Sequence, residues 1–308
     1  MNASHFCRAL AVAATALVVG TAFAQTAVPV RVGSKIDTEG SLLGSMIIAV
    51  LEGGGIRTEN RVQLGTTKIV RSAIVAGEID IYPEYTGNGA YFFGVERDPA
   101  WKSAKAGYEK VKALDFEKNR IVWLEPAPAN NTWAIAVRND VAAANGLRSL
   151  ADLGKWLAAG GTFKLAASAE FVERSDALPA FQAAYGFKLR QDQIVVLAGG
   201  DTAVTIKAAA ERTSGVNAAM AYGTDGALAA LGLVVLADPK AIQPVYAPAP
   251  IVRADTLARQ PRIRDLLAPV FAALDDQTLQ ALNAKIAVEG QDAKQVAVTY
   301  LKSKGLLK

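Results

Sequence analysis

The chain is 308 residues long, with a formal net charge of +4, one cysteine and one histidine. Those two, Cys7 and His5, fall in a segment that reads as a removable leader. Serine–histidine and cysteine–histidine nucleophiles, and zinc sites built on His or Cys, are therefore excluded from the mature chain. The basic residues are scattered, which excludes the basic stripe that nucleic acid requires.

Met1–Arg8 is short and basic, Ala9–Val19 is uncharged and apolar, and Ala22-Phe23-Ala24 places small residues at both cleavage positions. This layout predicts a signal peptide over residues 1–24, a mature start near Gln25 and delivery to the periplasm. The apolar run is too short to span a bilayer. Losing Arg8 lowers the net charge from +4 to +3, because the leader holds no acidic residue. Without disulfides the mature chain must rely on its core, and it is long enough for one large domain or two lobes.

Alternation over Val28–Ser34 predicts a strand. Leu42, Leu43, Met46, Ile47, Val50 and Leu51 recur at helical spacing, and Gly53-Gly54-Gly55 stops that helix. A strand over Arg61–Leu64, a helix over Thr67–Ala76 and a strand over Ile79–Tyr82 follow. This β-α-β-α-β order predicts a parallel sheet covered by helices, with ligand beyond the carboxyl ends of the strands. Lys35, Thr66 and Tyr85 all follow strand ends and are expected on one rim.

Trp101–Lys118 reads as a helix and Ile121–Leu124 as a strand. The proline-rich Glu125–Asn131 segment is a candidate crossing between lobes. Beyond it the α/β pattern repeats, with strands at Trp133–Arg138, Phe163–Ala167, Ile194–Leu197 and Ala218–Tyr222. Helices are expected at Ser149–Ala159, Leu178–Tyr185 and Thr202–Glu211. Ile242–Val252, with three prolines, is the expected crossing back, and three helices between Arg262 and Lys304 close the chain. The expected fold is α/β, a two-lobed clamshell with lobe I at residues 28–129 plus 248–308 and lobe II at 130–247.

The run Gly77–Gly87 carries Tyr82 and Tyr85 at the exit of a short strand, where rings make a wall for a ligand held by its faces. Aromatics form only 7% of the chain, so each ring near a strand end is informative. A single aromatic in an α/β protein still packs the core more often than it lines a cleft.

Several stretches, taken in order, resemble the osmoprotectant-binding proteins of ABC transporters. They are Ser34-Lys35 with Thr38-Glu39, Gly65-Thr66, Gly77–Gly87, Asn130–Ala134, Glu170-Phe171 with Arg174 and Asp176, Ala221–Gly226, and Tyr246 through Arg253. The resemblance implies a type II periplasmic-binding-protein clamshell that passes glycine betaine, choline or a related compound to ABC permease subunits. It implies no enzyme activity and no cofactor, and a monomer is expected. Carried over by motif, Tyr85, Trp133, Tyr222 and Tyr246 form an aromatic cage, with Tyr82 a less certain fifth ring. Arg174 is the implied carboxylate clamp, assisted by Lys35, Asn88 and the Thr66 region. Asn88 stands where relatives often carry a small hydroxyl residue, and Ala177 and Ala180 where glycines are usual.

The physics of such a cage stands apart from the resemblance. A trimethylammonium group has charge but no donor hydrogen, so ring faces recognise it, each contributing roughly 0.5–2 kcal/mol when desolvated. Other small zwitterions or amines remain open, among them proline betaine, carnitine, choline, ectoine and an amino acid. An extracytoplasmic hydrolase built on Glu84, Glu170 or Asp225 is the less favoured alternative.

Overall fold

The computed structural model describes residues 28–197 and 199–307. The expected leader, with His5 and Cys7, lies outside the described residues. Among the described residues ten strands form two five-stranded sheets. The first contains β1 (Val30–Lys35), β2 (Thr58–Gly65), β3 (Ile81–Tyr85) and β4 (Ile121–Trp123). The second contains β5 (Trp133–Arg138), β6 (Leu165–Ser168), β7 (Ile194–Leu197), β8 (Ala218–Tyr222) and β9 (Leu233–Val235). The chain then returns to the first sheet with β10 (Pro248–Arg253).

The strand orders are β2-β1-β3-β10-β4 and β7-β6-β8-β5-β9. Each sheet thus has four strands running one way and one antiparallel strand inserted between the third and fourth. The inserted strands are β10, which returns from the second sheet, and β5, which enters it. The returning segment was expected only as an extended crossing. Its Pro248 and Pro250 carbonyls accept from Ala127 and Leu124, which keeps the proline-rich strand bonded although its prolines cannot donate.

Each sheet is packed on both faces. Helix Thr38–Gly53 buries Leu42, Leu43, Met46, Ile47 and Leu51 against Val30, Val32 and Ile81 on one face of the first sheet. Each such burial is worth roughly 1.5–3 kcal/mol. The other face holds Val70, Ile74, Tyr82, Trp101 and Trp123. In β5, Ile135 and Val137 face one core while Ala136 faces the other, where Ala166 and Ala219 sit against Ile206 and Ala209 of helix Thr202–Ala210. Small residues on that face let the helix lie close to the sheet.

Aspartate and serine side chains start the helices near the cleft. Asp37 accepts from Gly40 N at 2.7 Å, Ser168 from Phe171 N at 3.1 Å and Asp201 from Ala203 N at 3.1 Å. Each cap is worth about 1 kcal/mol. Among the described residues no helix is long and apolar enough to cross a membrane.

Candidate ligand-binding site

Strand direction gathers the candidate residues. β1, β3, β6 and β8 end at Lys35, Tyr85, Ser168 and Tyr222. The antiparallel β5 begins at Trp133 on that same rim, and Tyr246 lies two residues before β10. A small cavity of about 20 Å3 lies among Lys35, Asp37, Thr67, Tyr85, Asn88, Asn131, Trp133, Glu170, Tyr222 and Tyr246.

Four of the expected rings meet here. Trp133 and Tyr222 are cross-strand partners in the β5–β8 ladder, and their rings stack with centroids 6.3 Å apart and planes 19° apart. Tyr246 tilts against Trp133 at 5.8 Å, and Phe171 meets the indole edge-on at 5.7 Å. Gly87 makes room for Tyr246, because a Cβ there would lie 2.8 Å from two of its ring carbons. Burial, with Glu39 and then Asp37 nearby, pushes the Tyr85 phenol well above its ordinary range. Burial raises the Tyr222 and Tyr246 phenols too, so all three remain neutral rings. The Trp133 indole N–H and the Tyr246 hydroxyl are buried without a partner among the described residues.

Two buried carboxylates hold the first-sheet side of the cavity. Glu84 accepts from Lys35 Nζ at 2.7 Å, the Tyr82 hydroxyl at 2.8 Å, Tyr85 N at 2.7 Å and Asn88 Nδ2 at 2.8 Å. Lys35 Nζ also lies 4.6 Å from the centre of the Tyr85 ring. Glu39 accepts from the Tyr85 hydroxyl at 2.9 Å, Asn131 Nδ2 at 2.8 Å and Asn283 Nδ2 at 2.7 Å. Asn131 and Asn283 also donate to the Thr224 hydroxyl and carbonyl, tying the first-sheet side to the turn after β8.

Three expected residues stand outside the cavity wall. Tyr82 is fully buried in the core behind it, because residues 82 and 85 of one strand point to opposite faces. Thr66 caps the following helix by position, and its neighbour Thr67 lines the cavity instead. Arg174 turns its fork to Asp176, with Nε and Nη2 at 2.9 and 2.7 Å from the two carboxylate oxygens. Its Nη1 donates to Asn88 Oδ1 and Glu170 Oε1, both at 2.9 Å. The guanidinium lies 4.6 Å from the Trp133 ring centre, so it backs the indole. Four of its five donor hydrogens are spent inside the protein.

Asp37, Asn131 and Glu170 line the cavity without having been singled out as ligand contacts. Asp37 was legible as a helix cap, since D-T-E-G follows a strand end. Asn131 and Glu170 lay inside the matching stretches. None of the three showed its direction, which depends on how the second sheet folds over the first.

A model described as the substrate-binding domain of an ABC-type glycine betaine transport system, the OpuAC family, matches residues 28–303. The chain belongs to the OpuAC family. It is 68% identical over 284 residues to the glycine betaine-binding protein YehZ of Escherichia coli strain K12, covering 92% of this chain and 93% of that protein. The structure of apo YehZ from Escherichia coli matches with 69% identity and a TM-score of 0.67, over 90% of this chain and 99% of that one. A crystal structure described as a glycine betaine/carnitine/choline ABC transporter has a TM-score of 0.70 at 21% identity, over 91% and 100% of the two chains. The OpuAC-family chain thus has the expected α/β clamshell, with two helix-flanked sheets. Membership makes it a substrate-binding component of a transporter and not an enzyme.

Proposed function

We propose that this chain is the periplasmic, monomeric solute-binding component of an ABC importer, and that it takes glycine betaine or a related quaternary ammonium between its lobes. The observation that carries this reading is the set of four rings, Tyr85, Trp133, Tyr222 and Tyr246, around one cavity at the carboxyl ends of both sheets. Desolvated ring faces supply several of the roughly 8 kcal/mol that micromolar binding needs. The carboxylate of a betaine would be met by the spare hydrogens of Lys35 Nζ and Asn88 Nδ2. Arg174 contributes by holding Asn88 Oδ1 and by backing Trp133.

The lobes are taken as residues 28–129 plus 248–308 and residues 130–247, hinged near Pro126–Asn131 and Ile242–Pro250. Closure over ligand gives the form that the permease recognises. One comparison supports a hinge: apo YehZ scores no higher than a relative of much lower identity. Rotation between lobes lowers a single-superposition score without altering either lobe. The test is isothermal titration of the mature chain with glycine betaine. Micromolar binding that falls at least tenfold in Trp133→Ala and in Tyr222→Ala supports the cage. Binding unchanged in both variants overturns it.

A further inference from the structure

The charged groups on the cavity wall are not equivalent. Lys35 is paired with Glu84 at 2.7 Å, and Glu170 with Arg174 at 2.9 Å. Asp37 makes no ion pair among the described residues. One of its oxygens accepts from Gly40 N at 2.7 Å, and the carboxyl borders the same cavity as Tyr85 and Tyr222. The wall therefore carries one carboxyl with no ion-pair partner among the described residues, and the cation that pulls on it, Lys35, is already bound to Glu84. Resting on the function proposed above, we propose that Asp37 is a specificity-determining residue whose charge ranks net cations above zwitterions in this cavity.

The reasoning is a comparison of two ligands. Choline and glycine betaine share the quaternary head, so whatever Asp37 does for the head cancels between them. They differ in the tail, a hydroxyl against a carboxylate. An ionised Asp37 repels the carboxylate and accepts a hydrogen bond from the hydroxyl, while a protonated Asp37 donates to the carboxylate.

Burial pushes the Asp37 carboxyl up to about 6, against the pull of Lys35, with Asp201 and Glu39 adding to the rise. The groups facing it are Lys35 at the end of β1, Glu39 on its own helix and Asp201 at the next lobe's helix start. Across the cavity stand Glu170, Tyr85 and Tyr222. Its charge thus changes within the range a periplasm experiences, whereas neither ligand titrates there. Acid favours the zwitterion, and neutral or alkaline pH favours the net cation.

The test is titration calorimetry of the mature chain with betaine, choline and tetramethylammonium, each at about pH 5 and about pH 8. The ratio of betaine Kd to choline Kd is expected to rise about tenfold between the two pH values. In Asp37→Asn, which keeps the oxygen that caps Gly40 N, the ratio is expected to be flat. Thermal melts of both proteins at both pH values check that each is folded. A flat ratio in the native chain overturns the proposal, as does a tenfold shift that persists in Asp37→Asn. Tetramethylammonium has no tail, so its failure to bind, together with the others, sinks the cage reading instead.

Discussion

Glu84 shows how one residue organises the wall of the cavity. Its carboxylate is inaccessible to solvent and receives four donors, one of them the Lys35 ammonium. Glu84→Gln would leave that ammonium buried and unpaired, a change that costs about 3–5 kcal/mol in comparable sites. A drop of that size in urea-unfolding free energy is expected, with part of it recovered in Lys35→Met/Glu84→Gln, where no charge remains. Equal stability in the single and double variants would mean that Lys35 finds water or another partner. The sequence made Lys35 and Tyr82 legible as candidates, but not their common partner. Residues 35 and 84 meet only because β1 and β3 are neighbours in the sheet.

At the scale of elements, the turn after β3 matters most. Gly87 has an ordinary helical φ of −62°, so alanine is permitted there by the backbone. Only the contact forbids it, since a Cβ would press on the Tyr246 ring at 2.8 Å and on the Val245 carbonyl at 2.9 Å. Gly87→Ala is expected to cost about 1–3 kcal/mol and to weaken betaine binding, measured by chemical unfolding and calorimetry on the same sample. Unchanged affinity would show that Tyr246 does not form part of the cage. The strands of the first sheet were readable from alternation, and the long amphipathic helices from period and caps. Some short elements were not, among them helix Asn88–Phe93 and β9 (Leu233–Val235), because so few residues show no period.

At the scale of the whole molecule, the seam between the sheets runs through the turn after Tyr222. Gln280 Nε2 donates to the Gly223 carbonyl at 2.8 Å, and a Cβ on Gly226 would overlap the Gln280 carbonyl. In that turn Asp225 accepts from Tyr222 N and the Thr202 hydroxyl, at 2.6 and 2.7 Å. Burial is the largest influence on its carboxyl and pushes it from 3.8 up to about 7. The folded state therefore holds this proton more tightly than the unfolded chain does. The stability it contributes is complete below about pH 4 and is lost as pH rises through about 7. The melting temperature of the ligand-free protein is expected to fall between about pH 5 and about pH 8, with a shallower fall in Asp225→Asn. A native profile that rises over that interval would contradict the assignment.

The sequence by itself determined the alternation of strands and helices, the set of rings near strand ends, and the family, because periodicity and ordered motifs are local properties of a chain. It also holds a single histidine and a single cysteine, both in the segment that reads as a leader. Only the tertiary structure decided what each side chain faces. It placed Tyr82 behind the wall and Tyr85 on it, turned the Arg174 fork to Asp176, and left Asp37 without an ion-pair partner among the described residues. Those outcomes depend on contacts between residues far apart in the chain, set when β10 returns to the first sheet and the second sheet folds over the rim. No local pattern records which of two charges will reach a partner first.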